Sequence, residues 1–244
     1  FTCFSVEVED INLPKEPKLE TIKSVGIDVG LLDFFYTSDN EHVSAPRLLR
    51  LAEKNLIRLQ RKLASMKKNT PEYLKVLNAL KKAHFKVKCR RKEFIIDKAN
   101  QLIKKYDVIV HEKLNVKNLV RRPKPRVSEK SEVKCEKEEN NQSSPVTYLP
   151  NRASSKSGLN KSINDAGWSM FFNTLQWLAK KVGKIVIAVN PAYTSQKCSE
   201  CGEMVKKSLS TRTHLCKCGF IANRDHNASI NILRLGLQSL GENP

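Results

Sequence analysis

Long apolar runs are missing from this chain of 244 residues. Its longest apolar stretches, such as 184–189, are strand-sized, far short of the roughly 20 residues that a membrane-crossing helix needs. Acidic residues are scarce too: 25 against 44 basic ones, for a formal net charge of +19. So large an excess favours a polyanionic partner. With no hydrophobic anchor, nucleic acid fits better than an anionic membrane surface; a ribosomal or merely soluble basic protein is the plainer alternative. Residue 1 is Phe rather than Met, and nothing near it reads as a signal peptide. A secreted disulfide framework is also a poor fit. Of seven cysteines, Cys3, Cys89 and Cys135 are scattered and the other four fall within 21 residues. That grouping points to an intracellular zinc site. The expected location is cytoplasmic, nucleoid-associated and of prokaryotic type.

Enough hydrophobic residues remain, 40%, to build a core. Phe4, Val6 and Val8 alternate with polar residues, which reads as one strand with no partner nearby. Residues 1–20 are therefore expected to be the remnant of an upstream RNA-binding or wedge domain, making the chain the C-terminal part of a longer protein. Residues 22–44 read as strands, the first ending at Gly-flanked Asp28. Across 47–106 the pattern turns helical. Leu49, Ala52, Leu56, Leu59, Leu63 and Met66 form one stripe; Tyr73, Leu77, Leu80, Val87, Phe94, Leu102 and Tyr106 form a second. Between them, Thr70 suits an N-cap and Pro71 a first helical position. The pair predicts a helical hairpin carrying 19 Lys and Arg against four acids. That imbalance is too large for pairing within the helices, so phosphate contact is the better reading than a solvated face. Lys81, Lys82, Arg90 and Arg91 are candidate contacts.

A strand follows at 107–112. Residues 123–161 are polar and Pro- and Ser-rich, and read as a flexible insert. A helical face of Ile163, Ala166, Met170, Phe171, Leu175 and Leu178 runs from Ser162 to Gly183, and 184–190 reads as a buried strand. A last helix is expected from about Arg224 to Leu240, with Ile230, Leu233 and Leu237 on one face. Strands separated by helices imply an α/β or mixed sheet with helical cover.

Cys198 and Cys201 form a C-x-x-C followed by Gly202; Cys216 and Cys218 form a C-x-C followed by Gly219. Two cysteine pairs on Gly-containing turns supply four thiolates for a tetrahedral ion, so the site is closed and structural. Zinc, a borderline-soft cation, suits thiolates. The second pair is one residue short of the usual spacing, and His214 stands two residues before it. Four cysteines come first, three plus His214 second, and no metal third.

Three acids stand out by context. Asp28 and Glu112 end apolar runs, and Asp225 opens the last helix. Each alone reads as a solvated strand end or a helix cap. Together, G26-I-D-V-G, H111-E-K-L-N-V, the two cysteine pairs and R224-D-H-N-A-S-I-N-I-L occur in an order that resembles the TnpB family. W168 in D-A-G-W-S and T194-S-Q-K-C-S-E-C-G are similar to the same family's signatures. These are transposon-associated, RNA-guided DNA endonucleases related to the type V CRISPR effectors. The resemblance covers roughly residues 22–240.

The resemblance implies a RuvC-like nuclease of RNase H-type fold with two inserts, the helical hairpin 47–106 and a zinc-ribbon-like module. Its nuclease parts would be 21–122, 162–195 and 223–244, with zinc-binding 196–222 between the last two. Asp28, Glu112 and Asp225 would be the catalytic acids holding Mg²⁺ or Mn²⁺. DNA would be the substrate and a guide RNA the partner, held mostly by the upstream part. Arg224 beside Asp225 has two readings, a phosphate contact or a salt bridge. Ser195, Gln196 and Lys197 either touch a nucleic-acid backbone or form a turn. Asn227 either bonds within the helix start or reaches the site. His226 reads as local structure, and Trp168 as core. Two competitors stand beside the nuclease: a zinc protein that holds DNA or RNA without cutting it, and a structural zinc protein of a ribonucleoprotein.

Overall fold

The computed structural model describes residues 22–127, 148–208 and 210–241. The expected strand within 1–20 and the middle of the polar insert lie outside the described residues. Contacts divide the chain into two compact units: one runs to Leu114 and resumes at Ala166, and the other is Asn115–Asp165. In chain order, β1 (Ser24–Val29), β2 (Asp33–Thr37) and β3 (His42–Ser44) lead into α1 (Leu48–Ala64) and α2 (Pro71–Lys105), and then β4 (Val108–Glu112). The second unit carries α3 (Val116–Leu119), β5 (Arg126–Val127), β6 (Tyr148–Leu149) and most of α4 (Ala153–Ala166). The first resumes with α5 (Trp168–Lys181), β7 (Ile185–Val189), β8 (Thr213–Leu215), β9 (Ile221–Asn223) and α6 (Arg224–Ser239). The result is a mixed α/β fold.

The main sheet has the order β3-β2-β1-β4-β7. β1 runs antiparallel to β2 and parallel to β4, and β4 runs parallel to β7. Parallel neighbours need long crossovers. The α1–α2 pair supplies the first. Thr70 caps α2, its hydroxyl accepting from Tyr73 N at 3.2 Å, with Pro71 in the first turn. The helix then runs 35 residues, about 50 Å at 1.5 Å per residue. At its far end Lys184 Nζ reaches the carbonyls of Ile103 (2.6 Å) and Tyr106 (3.0 Å), satisfying orphan acceptors of the last turn. Lys81, Lys82 and Arg90 are exposed on α2, and Arg91 is half-buried.

Successive strand residues point to opposite faces. Val108 and Val110 of β4 pack with Ile232 of α6, whereas the His111 ring stacks on Phe172 of α5, 4.0 Å between centroids. The sheet is thus covered by α6 on one side and by α5 on the other. On the α5 side Phe34 meets Phe94 of α2 and Phe171, each at 5.0 Å and near-perpendicular. Trp168 is core. In the second unit β5 pairs antiparallel with β6, and Asn160 Nδ2 donates to Val120 O at 2.7 Å.

Three sequence expectations are corrected. The helix expected from Ser162 begins at Ala153, and a second begins at Trp168 with Gly167 between them. The A153-S-S-K-S-G start is too polar to show a helical stripe, but Asn151 accepts from Ala153 N at 3.2 Å and starts the turn. The strand at 185–189 is a half-buried edge strand, because β7 has β4 on one side only. The buried face of α6 is Asn227, Ala228, Ser229, Asn231, Ile232 and Gly236; Ile230, Leu233 and Leu237 flank it half-buried. Small and polar residues win that face because α6 lies close to β1 and holds a loop by hydrogen bonds. A Cβ on Gly26 would overlap the Ser229 carbonyl and stand 2.6 Å from Leu233 N, so only glycine admits the helix there.

Candidate functional site

Strand alternation brings two of the acids to one face. Gly26 is in register with Val110, and both face α6. Asp28 and Glu112 lie two residues further along the same strands, so they face α6 as well, at the carboxyl ends of parallel neighbours. That is where open α/β sheets carry their ligands. Asp225 comes from the first turn of α6, where Asn223 caps the helix by accepting from Asp225 N at 2.8 Å.

The three carboxylates share one electrostatic field. Burial raises the Asp28 pKa well above the ordinary carboxylate value, and the charges of Glu112 and Asp225 raise it further, against Arg224 and Arg212. Burial also raises Glu112, against the Thr194 hydroxyl that donates to its Oε1 at 2.5 Å. Asp225 is held by two arginines, Arg224 Nε at 3.0 Å and Arg212 at 3.5 Å. Of the two readings for Arg224, the structure records the salt bridge. Partly desolvated carboxylates that raise one another's pKa suit a divalent cation with hard oxygen ligands. His111, beside Glu112, is buried, and desolvation lowers its pKa.

The cysteines meet as the spacing predicts. Among the described residues, they are the group of His, Cys, Asp or Glu whose ligand atoms all lie within 4.8 Å of one another. Cys198 and Cys218 sulfurs are 3.8 Å apart, and those of Cys201 and Cys216 are 3.5 Å apart. The edge of a tetrahedron with zinc–sulfur bonds of about 2.3 Å is about 3.8 Å, so the thiols fit zinc. Gly202 N donates to Cys198 O and Gly219 N to Cys216 O, and both glycines take positive φ (79° and 92°) to close these turns. Burial raises the Cys198 thiol pKa, but the Cys201 and Glu200 N–H groups and the neighbouring thiols leave it at about 7. His214 is not part of the four-cysteine cluster. It is fully buried on β8, with Lys207 Nζ on its Nδ1.

The loop before the first knuckle is tied to α6. Asn227 Oδ1 accepts from Ser199 N at 2.9 Å, and its Nδ2 donates to Lys197 O at 2.8 Å. Asn231 Nδ2 donates to Thr194 O at 2.9 Å and Lys197 O at 2.7 Å. Arg234 donates to Ser199 O at 2.9 Å. Asn227 therefore does neither thing expected of it: it clamps the knuckle to the helix. Ser195, Gln196 and Lys197 form a turn, with Gln196 N and Lys197 N both donating to Tyr193 O at 2.9 Å. His226, expected to be local structure, instead makes a tertiary contact: its Nε2 lies 3.1 Å from Ser38 O, after β2. Thr194, Arg212 and Asn231 are site-forming residues that charge and periodicity did not single out. Their only signal was that Thr194 and Asn231 lie inside quoted motifs.

No helix among the described residues is long and apolar enough to cross a membrane. A family model described as "Probable transposase" (OrfB_IS605) matches residues 3–122, and one described as "Cas12f1-like, TNB domain" matches residues 168–232. The chain is 30% identical over 236 residues to "Putative RNA-guided DNA endonuclease InsQ" of Escherichia coli (strain K12), covering 95% of this chain and 53% of that protein. It is 43% identical over 56 residues to "CRISPR-associated endodeoxyribonuclease Cas12f1" of Sulfoacidibacillus thermotolerans, covering 28% of this chain and 14% of that one. Among solved structures, a Cas12f1–sgRNA–target DNA complex aligns with a TM-score of 0.52 at 18% identity, over 94% of this chain and 52% of that one. The chain spans about half the length of the first curated relatives it matches.

Proposed function

This chain belongs to the TnpB family, and from that premise we propose that it carries the nuclease centre of an RNA-guided DNA endonuclease. The reading takes the sheet and its helical cover as a RuvC-like, RNase H-type fold. Its nuclease parts are 21–122, 162–195 and 223–244, with the polar insert at 123–161 and the zinc module at 196–222. The observation that supports it most is the field that Asp225, in the first turn of α6, shares with Asp28 and Glu112 at the carboxyl ends of two parallel strands.

Asp28, Glu112 and Asp225 would hold Mg²⁺ or Mn²⁺. Ions held there would supply activation of water and stabilisation of the leaving oxygen of the phosphodiester. The chain's own residues do the rest. Asp28 and Glu112, with carboxyl pKa values raised by burial, are poised to release protons when a dication is taken up. Arg224 and Arg212 stand beside Asp225 and place positive charge where a phosphate would approach. Lys81, Lys82 and Arg90, exposed on α2, and half-buried Arg91 are the candidate contacts of this helix to a nucleic-acid backbone. Lys197, Gln196 and Ser195 present the zinc turn to the same strand. The four cysteines hold zinc structurally. Single-stranded DNA is the substrate, and a guide RNA selects it.

The test is cleavage by the natural full-length protein with its transposon-end RNA, target DNA and Mg²⁺. Asp28→Ala, Glu112→Ala and Asp225→Ala are each expected to lower the rate by about 10³-fold or more while DNA binding is kept. Unchanged cleavage in these variants would sink the assignment. Binding without cleavage by the unmutated protein would select the non-cutting zinc protein instead.

A further inference from the structure

Thr194 is buried in the segment between β7 and the first knuckle. Its hydroxyl donates to Glu112 Oε1 at 2.5 Å, with the Pro191 carbonyl 3.2 Å away. A short hydrogen bond to a buried carboxylate is strong and directional. It fixes one oxygen of Glu112, and so the direction in which the other is offered. Thr194 is itself held. Its carbonyl accepts from Asn231 Nδ2, and Asn231 shares the Lys197 carbonyl with Asn227. Both asparagines belong to α6, the helix that carries Asp225 in its first turn. One helix thus places Asp225 directly and reaches Glu112 through a threonine.

Resting on the nuclease reading above, we infer that Thr194 is a positioning residue for Glu112 and that Asn231 sets where its hydroxyl sits. Partners that orient a ligating carboxylate typically change metal affinity or activity by about 10–100-fold when removed. The role lies with the hydroxyl, so Thr194→Val, which keeps shape and leaves the backbone bond to Asn231, is the informative change, and Thr194→Ser is its rescue.

Two measurements on the natural full-length protein test this. Mn²⁺ binding is followed by the electron paramagnetic resonance of the free ion, and cleavage is followed with its RNA and target DNA. Thr194→Val is expected to weaken Glu112-dependent Mn²⁺ binding about tenfold. It should lower kcat with KM for DNA unchanged, and saturating Mn²⁺ should recover much of the rate. Thr194→Ser should restore both. Should the valine variant fail to fold, Thr194→Ala compared with Thr194→Ser asks the same question, and the same pattern is expected. Wild-type Mn²⁺ binding in Thr194→Val, with binding lost in Glu112→Ala, overturns the inference and leaves the nuclease reading standing. A serine variant as impaired as the valine one also overturns it. Unchanged binding and cleavage in Glu112→Ala would instead remove the nuclease reading itself.

Discussion

Twenty-one consecutive residues supply the four thiols, whereas the three carboxylates come from positions 28, 112 and 225. The thiols meet because two tight turns aim them locally, sulfur to sulfur at 3.5–3.8 Å. The carboxylates come to influence one another because two strands pair in one register and a helix packs across them, so their arrangement depends on the whole first unit. The electrostatics differ as well. Hydrogen bonds lower the Cys198 thiol pKa to about 7, readying it for a metal. The acids crowd one another, and the Asp28 carboxyl stays well above its ordinary value despite two nearby arginines. One centre is made by local turns and the other by tertiary structure. The α6 asparagines join them.

The largest effect should come from the local centre. Cys201→Ser should lose its one bound zinc, and native mass spectrometry reads this directly. Structural zinc contributes on the order of 10 kcal/mol or more to folding of such modules, so 196–222 should open. His214→Ala should keep the zinc. Equal loss in both variants would make His214 a ligand and break the contrast between local and assembled sites.

Next is Gly26→Ala, which presses a methyl group against the Ser229 carbonyl. Overpacking there should cost about 1–3 kcal/mol, read as a lower Tm, and should reduce cleavage because α6 carries Asp225. Zinc content should not change. A variant of wild-type stability would show that α6 does not lie so close to β1.

Asn227→Ala removes two buried hydrogen bonds between α6 and the knuckle. The expected cost is about 1–3 kcal/mol. Faster hydrogen exchange should appear first at the Ser199 amide, which donates to Asn227. Exchange that changes only within α6 would mean that the two centres are not mechanically joined.

The smallest effect concerns Asp28. A carboxyl whose pKa is raised on folding contributes stability that is complete below its unfolded value and is lost as pH rises through its folded value. Without divalent ions the wild type therefore carries a penalty at neutral pH that Asp28→Asn lacks. The variant should melt a few degrees higher at neutral pH, at about 2–4 °C per kcal/mol for a chain of this size. The difference should shrink in acid and when Mg²⁺ stabilises the wild type alone. A gap that is constant across pH would mean that the Asp28 carboxyl is not strained by its neighbours.

How much was legible in the sequence follows the same division. Local signals read well: the Thr70–Pro71 start of α2, the Leu49 to Met66 stripe of α1 and the four cysteines are each carried by residues close in sequence. Signals that depend on tertiary contacts did not. Hydrophobicity placed the buried face of α6 on Ile230, Leu233 and Leu237, because nothing local shows that Asn227 and Asn231 will be buried against another segment's backbone. Ala153 was missed as a helix start because its first turns are serine-rich. The acids were picked out by resemblance. Their physical reason, strand parity and register, needs the paired sheet, and Thr194 lies 82 positions from Glu112, so only the folded chain connects them.

The two faces of β4 are both apolar, Val108 and Val110 on one and Ile109 on the other. A single residue inserted within the strand would therefore cost little in burial, because either set of side chains can fill either side. Yet it would carry the carboxylate of Glu112 across to the side where His111 now meets Phe172. Such a lesion would keep much of the apolar burial, yet it would set a carboxylate against an aromatic face and take it away from the Thr194 hydroxyl.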